Sequence, residues 1–366
     1  MSEPAAPRVR PDGRLNGMFD SKPQPVPWFS RERLLAGRGH LLAGIGGSSK
    51  TRMLYHLGAG AVLGELPWDW EVSTIGSAAL FLTEDVTAQV HRVIFHLGER
   101  LNLEQRKLIT HRMRVFPLAG HGVRLLAVAG NALHETEAYD WLMSMIDALP
   151  KPVAFIGLDP ALGLTEGDEL SPAHQRRLGE LVDRIAIDTG ACTMLTAHAI
   201  KGIHQAEELG SHTSRGSGAI TDAVRGEFAL RNMTADEAKR FGIDDRTERQ
   251  LYVQLAATKG NELPPEAFAP VWLKRGTYGM LEGVSLEQVK RGSVGKRELD
   301  ALEVLRTSGP GSTTLKFWRV QCVSAGLIPR NSNEGAQEKC MQRIRDVLKD
   351  AGLVIPGAVR GMWSPA

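Results

Sequence analysis

The sequence is poor in cysteine and has no long apolar run, and both absences restrict what the protein can be. Its three cysteines, Cys192, Cys322 and Cys340, form no CxxC pair. This odd number without metal-like spacing argues against a disulfide framework. No apolar run approaches the ~20 residues that a membrane helix needs, and the N-terminus has no apolar stretch of the signal-peptide kind. We therefore expect a cytoplasmic protein without a membrane partner.

The sequence also lacks a strong net charge. The formal net charge is +2 over 366 residues, so the molecule as a whole is not a polycation. The charge is uneven, because residues 290–366 contain thirteen Lys and Arg against seven Asp and Glu. A basic segment on a near-neutral body is compatible with nucleic-acid binding, and also with a solvated polar surface.

Composition divides the chain into four segments. Residues 1–27 are rich in proline and poor in periodicity, which is typical of a flexible arm. Residues 28–282 alternate apolar runs with helical patterns and are expected to form the main domain. Residues 283–297 are glycine-rich and basic and are expected to be a linker. Residues 298–366 are expected to form a second, small domain.

The main domain is predicted to be α/β with a mostly parallel sheet. Continuous apolar runs at residues 40–44, 78–83, 153–158 and 192–197 suit strands that are covered on both faces. A helix between the last two runs is marked by Ser171 as its cap, by Pro172 in its first turn and by Gly190 as its end. The later runs at 219–230, 250–257 and 270–274 are predicted to be antiparallel strands added to this sheet.

The last domain has the outline of a winged helix. Helices are predicted at residues 298–306, 314–324 and 335–349, and two short strands follow, with a turn at Pro356-Gly357. The third helix directs apolar residues inward and basic residues mostly outward, as a DNA recognition helix does. A protein-binding module of the same shape is the alternative. The basic residues are Lys339, Arg343, Arg345 and Lys349.

A glycine-rich loop between the first apolar run and the helix predicted at residues 51–63 predicts a phosphate site. Backbone N–H groups of such a loop surround an anion, the lysine reaches the β- and γ-phosphates, and the following hydroxyl holds Mg²⁺. Ser49 stands where glycine is usual. A decayed loop kept only as a turn is therefore the alternative, but the strand–loop–helix context favours a working site. The predicted nucleotide-binding residues are Gly44, Gly46, Gly47, Ser48, Ser49, Lys50 and Thr51.

Three further strand ends carry polar residues that suit ATP hydrolysis. Glu84, chosen over the adjacent Asp85, can orient the attacking water. Asp159 follows VAFIGL as a Walker B carboxylate and is expected to bind Mg²⁺ together with Thr51. His198 can contact the γ-phosphate and relay its loss to the next loop. ATP and Mg²⁺ are thus the predicted ligands.

With these features the chain resembles RecA-like hexameric replicative DNA helicases of the plasmid RepA type, a group of AAA-type P-loop ATPases. The resemblance covers roughly residues 28–282, and its last two stretches are the most specific. It is carried by GIGGSSKT, ALFLTEDVTAQVHRV, FIGLDPALGL, IAIDTGACTMLTAHAIKG and SRGSGAITDAVRGEFALRNMTADEAKRFGIDD.

The resemblance implies a RecA-like core and roles for single residues. Glu84 would be the catalytic base, and His198 would be the sensor. Arg225, on a strand with Asp222, would be an arginine finger that enters the neighbouring subunit's site, and Lys259 would be a second cation acting there. Ala197 stands where those helicases have a further histidine, so the sensor rests on His198 alone.

These observations predict an ATP-hydrolysing ring helicase of DNA replication that moves on single-stranded DNA. Of the two loops expected to face the ring channel, 161–171 is acidic, whereas 201–214 and its flank supply Lys201 and Arg215 for backbone contacts. A structural or subunit-interface role is the alternative for Arg215. A homo-hexamer and a replication initiator or primase are the expected partners. The alternatives are a nucleotide-switched DNA-binding replication or regulatory protein without motor activity, and a RecA-like recombinase.

Overall fold

The computed structural model describes residues 18–20, 22–130, 132–199, 218–243, 245–287, 294–308, 313–357 and 361–366. The chain divides into two compact units. The first lies within residues 1–234 and 246–285, and the second lies within residues 235–245 and 286–366. No helix in the part of the chain that is described is both long and apolar enough to cross a bilayer.

The first unit contains thirteen strands among its described residues. Nine helices between residues 50 and 249 of the described chain are interspersed with these strands. The strands are β1 (Trp28–Ser30), β2 (Leu34–Leu35), β3 (Gly39–Gly44), β4 (Ser77–Leu82), β5 (Met113–Pro117), β6 (Leu126–Ala129), β7 (Ala132–Glu135), β8 (Val153–Asp159), β9 (Cys192–His198), β10 (Gly226–Asn232), β11 (Tyr252–Gly260), β12 (Val271–Arg275) and β13 (Leu281–Gly283). The helices are α1 (Lys50–Leu63), α2 (Thr87–Gly98), α3 (Leu103–Arg112), α4 (Glu137–Asp147), α5 (Ala161–Leu164), α6 (Pro172–Thr189), α7 (Ala219–Ala223), α8 (Ala235–Arg240), which lies in the second unit, and α9 (Arg246–Arg249).

Nine strands form one sheet in the order β13-β12-β11-β10-β3-β9-β8-β4-β5. The six strands from β10 to β5 are parallel, and β11, β12 and β13 continue the sheet in antiparallel pairs. Every residue of β3, β4 and β8 is buried, because helices cover both faces of these strands. Helices α1, α2 and α3 pack on one face, and α4, α6 and α7 pack on the other. The predicted α/β fold with a mostly parallel sheet is confirmed.

The predicted strands and helices of the parallel part are present, within one or two residues at their ends. Ser171 caps α6 by accepting a hydrogen bond from the His174 N–H (3.4 Å), Pro172 is its first residue, and Gly190 ends it at φ +74°. Helix α1 begins at Lys50, one residue earlier than predicted.

The prediction for residues 219–230 is wrong in part. Ala219–Ala223 is helix α7, so Asp222 lies on a helix, and Arg225 lies in the connection before β10. Strand β10 is antiparallel to β11, as predicted, but it is parallel to β3. The Thr221 hydroxyl donates a hydrogen bond to the Glu227 carboxylate (3.1 Å). Six residues of extended strand would span about 20 Å, so this contact is incompatible with one continuous strand.

The second unit places three helices against a small sheet. Beyond residue 286 its elements are α10 (Lys296–Thr307), β14 (Thr313–Thr314), α11 (Leu315–Ser324), α12 (Glu334–Asp350), β15 (Val354–Pro356) and β16 (Met362–Pro365), with the sheet order β14-β16-β15. Trp318 is fully buried in its core and donates a hydrogen bond from Nε1 to the Ala301 carbonyl (2.8 Å). The three helices and the two final strands match the prediction, and β14 adds a strand that the sequence did not indicate.

On α12 the apolar and basic faces separate largely as the sequence predicts. Met341, Ile344 and Leu348 are buried, whereas Val347 is only half-buried. Lys339, Arg343 and Lys349 are exposed. Arg345 differs from them, because it is half-buried, pairs with Asp346 (2.6 Å) and lies over the Trp363 ring.

Candidate nucleotide-binding site

The phosphate loop connects β3 to α1 at the carboxyl edge of the parallel strands. Glycine is required at Gly44, where a Cβ would lie 2.3 Å from Ser48 Oγ and 2.9 Å from the Leu230 carbonyl oxygen. Gly47 has φ +74°, in the left-handed region that a side chain rarely occupies. The loop therefore turns tightly into α1, whose unpaired N-terminal N–H groups form an anion site.

Lys50 is held inside the loop. Its Nζ donates hydrogen bonds to the carbonyl oxygens of Gly44 (2.8 Å) and Ile45 (3.1 Å), and only 8 % of the residue is exposed. Burial lowers the pKa of Lys50, and the carboxylates of Asp159 and Glu84 oppose that shift. The ammonium is thus a desolvated charge in a position to bind phosphate oxygens.

Asp159, at the end of β8, is buried and receives two hydroxyl hydrogen bonds. Thr51 Oγ1 donates to one carboxylate oxygen (2.7 Å), and Thr196 Oγ1, on β9, donates to the other. Both contacts hold the carboxylate in one orientation beside the first turn of α1. Thr196 is a site residue that the sequence prediction did not include.

Glu84, Asp159 and His198 all line one cavity together with the phosphate loop, in front of the carboxyl edge of the sheet. The cavity has a volume of about 340 Å³. Glu84 is exposed to it, whereas Asp85 is not among its lining residues. Burial raises the pKa of Asp85, and the nearby Asp159 adds to that rise. The structure therefore places Glu84, and not Asp85, in the cavity.

Arg225 and Lys259 lie together at the opposite end of the parallel strands from the phosphate loop, which is the amino edge of these strands. Gly226 pairs with His40 at the start of β3, and the Arg225 N–H donates to the Gly39 carbonyl (2.9 Å). The length of β3 separates this edge from the phosphate loop, which is roughly 16 Å at the usual rise per residue. Because β11 is antiparallel to β10, Lys259 at its end comes back beside Arg225.

The two cations differ in how they are held. The Arg225 side chain is exposed. Lys259 Nζ donates to the carbonyl oxygens of Thr221 (2.5 Å) and Val224 (3.1 Å), in the connection that precedes Arg225. Burial lowers the pKa of Lys259, with Asp222 and Glu227 opposing the shift. Lys259 therefore braces the backbone before Arg225.

The cavity also contains residues that the sequence prediction missed: Arg52 on α1, Arg275 at the end of β12, and Tyr278 and Gly279 in the turn after it. Tyr278 has φ +54°, its ring stacks on His96 with ring centroids 4.9 Å apart, and its hydroxyl accepts a hydrogen bond from Arg92 Nε (2.7 Å). A basic residue at the end of a predicted strand was the available signal for Arg275. Strand β12 runs in the direction of β3, because two antiparallel pairings separate it from β10, and its end therefore reaches the phosphate-loop edge.

The proposed DNA-contact residues Lys201 and Arg215, with the loop 201–214, lie outside the described residues. They stay predictions.

The oxygen donors of the site fit a hard divalent cation. The Thr51 hydroxyl and the Asp159 carboxylate are in contact, and ligands of this kind suit Mg²⁺. Among the residues that the structure covers, no group of three or more His, Cys, Asp or Glu side chains could hold a metal ion alone. A cation bound by Thr51 and Asp159 would need its other ligands from phosphate oxygens and water, as Mg²⁺ commonly does.

A family model described as an AAA domain matches residues 5–203. Among solved structures, the chain is similar to a KaiC-like protein from the hyperthermophilic archaeon Pyrococcus horikoshii OT3. The two are 13 % identical with a TM-score of 0.45, and the match covers 71 % of this chain and 96 % of the archaeal chain.

Proposed function

The chain belongs to the AAA domain family, a family of nucleotide-binding ATPases, and from this premise we propose that it is a ring-forming DNA helicase of the RecA-like, plasmid RepA type. In this proposal the protein hydrolyses ATP with Mg²⁺, assembles as a homo-hexamer and moves on single-stranded DNA during replication. The replication initiator or primase expected from the sequence would be its partner.

One observation carries the proposal: Arg225 is exposed on the sheet edge opposite to its own phosphate loop. In a head-to-tail ring, the edge of one subunit faces the opposite edge of the next. Arg225 would then enter the neighbouring site, where a cation offsets the charge that develops on the transferred phosphoryl group. Hydrolysis would depend on subunit contact.

The residues in the cavity have complementary roles in this mechanism. Lys50 and the loop N–H groups would hold the β- and γ-phosphates, and Thr51 and Asp159 would hold Mg²⁺, which supplies positive charge against the phosphate oxygens. Glu84 would orient the attacking water and accept its proton. His198, at the end of β9, would contact the γ-phosphate. The loss of this contact after hydrolysis would be transmitted to the residues that follow His198 in the chain.

The second unit supports a DNA-related function. Three helices and the sheet order β14-β16-β15 support the winged-helix interpretation, and α12 exposes Lys339, Arg343 and Lys349. We propose that α12 contacts DNA phosphates through these three side chains. Lys201 and Arg215 are proposed to contact single-stranded DNA in the first unit.

Glu84→Gln tests the motor. Removing the carboxylate should lower the ATPase kcat by about 10²–10⁴-fold, because it removes the general base but leaves the phosphate-binding groups. We expect single-stranded DNA to stimulate the wild-type ATPase, and duplex unwinding to be lost in the variant. Native mass measured with ATP and Mg²⁺ should show the same hexamer for both proteins.

Other results would contradict the motor. Tight duplex binding without turnover would favour the nucleotide-switched protein. Glu84→Gln with wild-type turnover would remove Glu84 from the mechanism. A control variant, Glu104→Gln on the exposed side of α3, should keep full activity, since Glu104 is exposed and pairs only with Lys107 among the described residues.

A further inference from the structure

Ser49 occupies a backbone conformation that normally requires glycine. It has φ 77° and ψ 22°, in the left-handed region, where a residue with a Cβ is strained by about 1–2 kcal/mol. Its side chain is not a helix cap, because it accepts no hydrogen bond from the N-terminal N–H groups of α1. The Ser49 hydroxyl therefore does not stabilise the start of α1, and its hydrogen-bond partner lies elsewhere.

The Ser49 hydroxyl accepts a hydrogen bond from Arg275 Nε (2.8 Å). The same guanidinium donates from Nη2 to the Gly47 carbonyl (2.7 Å) and to Asn232 Oδ1 (2.7 Å), and from Nη1 to the Gln250 carbonyl. Two of these four contacts are to the phosphate loop itself. They fix Arg275 at the wall of the cavity that also contains Lys50 and Thr51.

All four groups that accept hydrogen bonds from Arg275 are uncharged. Burial lowers the pKa of Arg275, and among the described residues no carboxylate opposes that shift. A half-buried guanidinium without an anion is unfavourable, whereas an anion in the cavity would compensate it. Arg52, on the same cavity wall, is instead engaged by the Tyr278 ring and carbonyl.

We propose that Arg275 is a second cation of the phosphate site, acting on the nucleotide bound by its own subunit, and that the Ser49 hydroxyl anchors it there. This rests on the nucleotide site proposed above. The serine that replaces the usual loop glycine is then a functional part of the site. Its hydroxyl offsets the backbone strain by joining the loop to β12.

The test is the affinity for the non-hydrolysable ATP analogue AMP-PNP with Mg²⁺, measured by calorimetry on the full chain. Arg275→Gln should weaken binding at least about tenfold, since hydrogen bonds to charged groups are among the stronger ones. Arg275→Lys keeps the charge without the planar fork and should recover part of the loss. Arg114→Gln is the matched control, because Arg114 also bonds backbone carbonyls but is not among the residues that line the cavity.

The anchor is tested by a double-mutant cycle. Ser49→Ala keeps a Cβ in the strained position but removes the acceptor, and we expect binding to weaken about threefold or more. When Arg275→Gln is already present, Ser49→Ala should weaken binding little further, because both substitutions remove the same hydrogen bond. Additive losses would contradict the anchoring role. Ser49→Ala also tests the proposal if Arg275→Gln fails to fold.

Two further outcomes distinguish a failure of this inference from a failure of the proposed function. Unchanged AMP-PNP affinity in Arg275→Gln, with a lowered Tm of the nucleotide-free protein, would show a purely structural arginine and overturn the inference. Failure of the wild-type protein to bind AMP-PNP with Mg²⁺ would instead overturn the nucleotide site and the proposed function with it.

Discussion

His40 and His56 are both buried, and each ring accepts a hydrogen bond from a backbone N–H. His40 Nε2 accepts the Leu35 N–H (3.1 Å), and His56 Nε2 accepts the Leu281 N–H (2.9 Å). A ring nitrogen that accepts a hydrogen bond cannot also carry a proton. Burial accordingly lowers the pKa of His40 to about 4 and that of His56 to about 3.

The lowered pKa values of these two histidines predict that the free energy of unfolding decreases in mild acid. In the unfolded chain each histidine gains a proton below pH 6.5, whereas in the folded chain each stays neutral down to its lowered pKa. The free energy of unfolding should therefore fall by about 1.4 kcal/mol for each histidine between pH 7.5 and pH 5.5. Urea titrations at the two pH values measure the difference.

His56→Gln isolates one of the two contributions. Glutamine keeps an acceptor for the Leu281 N–H but does not titrate, so the pH-dependent loss should shrink by about 1.4 kcal/mol. His91→Gln, at an exposed position, should leave it unchanged. An undiminished loss in His56→Gln would show that His56 is protonated in the folded protein.

At the scale of single elements, the ends of α6 show how local signals determine structure. Ser171 and Pro172 begin the helix, and Gly190 ends it, with its N–H donating to the Ala186 carbonyl (2.8 Å). Each of these residues acts on backbone groups that are close to it in the sequence. The helix was therefore predictable from the sequence at both ends.

Ser171→Ala should lower the free energy of unfolding by about 0.5–1 kcal/mol, because the His174 N–H loses its acceptor. Ser144→Ala, the same change inside α4, is the control. Alanine favours a helix interior, so we expect no loss there. Chemical denaturation measures both. Equal effects of the two substitutions would show that Ser171 does not act as a cap.

The strands of the parallel sheet were predictable for a different reason. Strands β3, β4, β8 and β9 are continuous apolar runs, and the polar residues at or just beyond the ends of the last three also located Glu84, Asp159 and His198. Helix α7 was missed because it has only five residues within a longer apolar run.

Pairing between distant strands was not accessible to this reasoning. Strand β10 pairs with β3, far away in the chain, and this pairing makes it parallel. The position of Arg275 depends on this pairing together with two antiparallel ones, of β10 with β11 and of β11 with β12. No local pattern encodes the pairing of β10 with β3, and the contact of Arg275 with Ser49 could not be foreseen from sequence.

At the scale of the whole molecule, the first unit has two chemically different edges. The carboxyl edge of the parallel strands contains the cavity, and the amino edge contains Arg225 braced by Lys259. In the proposed mechanism, hydrolysis needs groups from both edges. A head-to-tail assembly would bring the two together, and a closed ring would complete every site.

Mixing two inactive variants tests this account most directly. Lys50→Ala removes the phosphate-binding lysine but keeps Arg225, and Arg225→Ala does the opposite. Each variant alone should have almost no ATPase activity. In a randomly mixed ring, about a quarter of the interfaces pair an intact Lys50 with an intact Arg225, so the mixture should recover up to about a quarter of wild-type activity. A mixture that assembles, as native mass would show, but stays as inactive as its components would contradict the account. Wild-type activity of Arg225→Ala alone would contradict it as well.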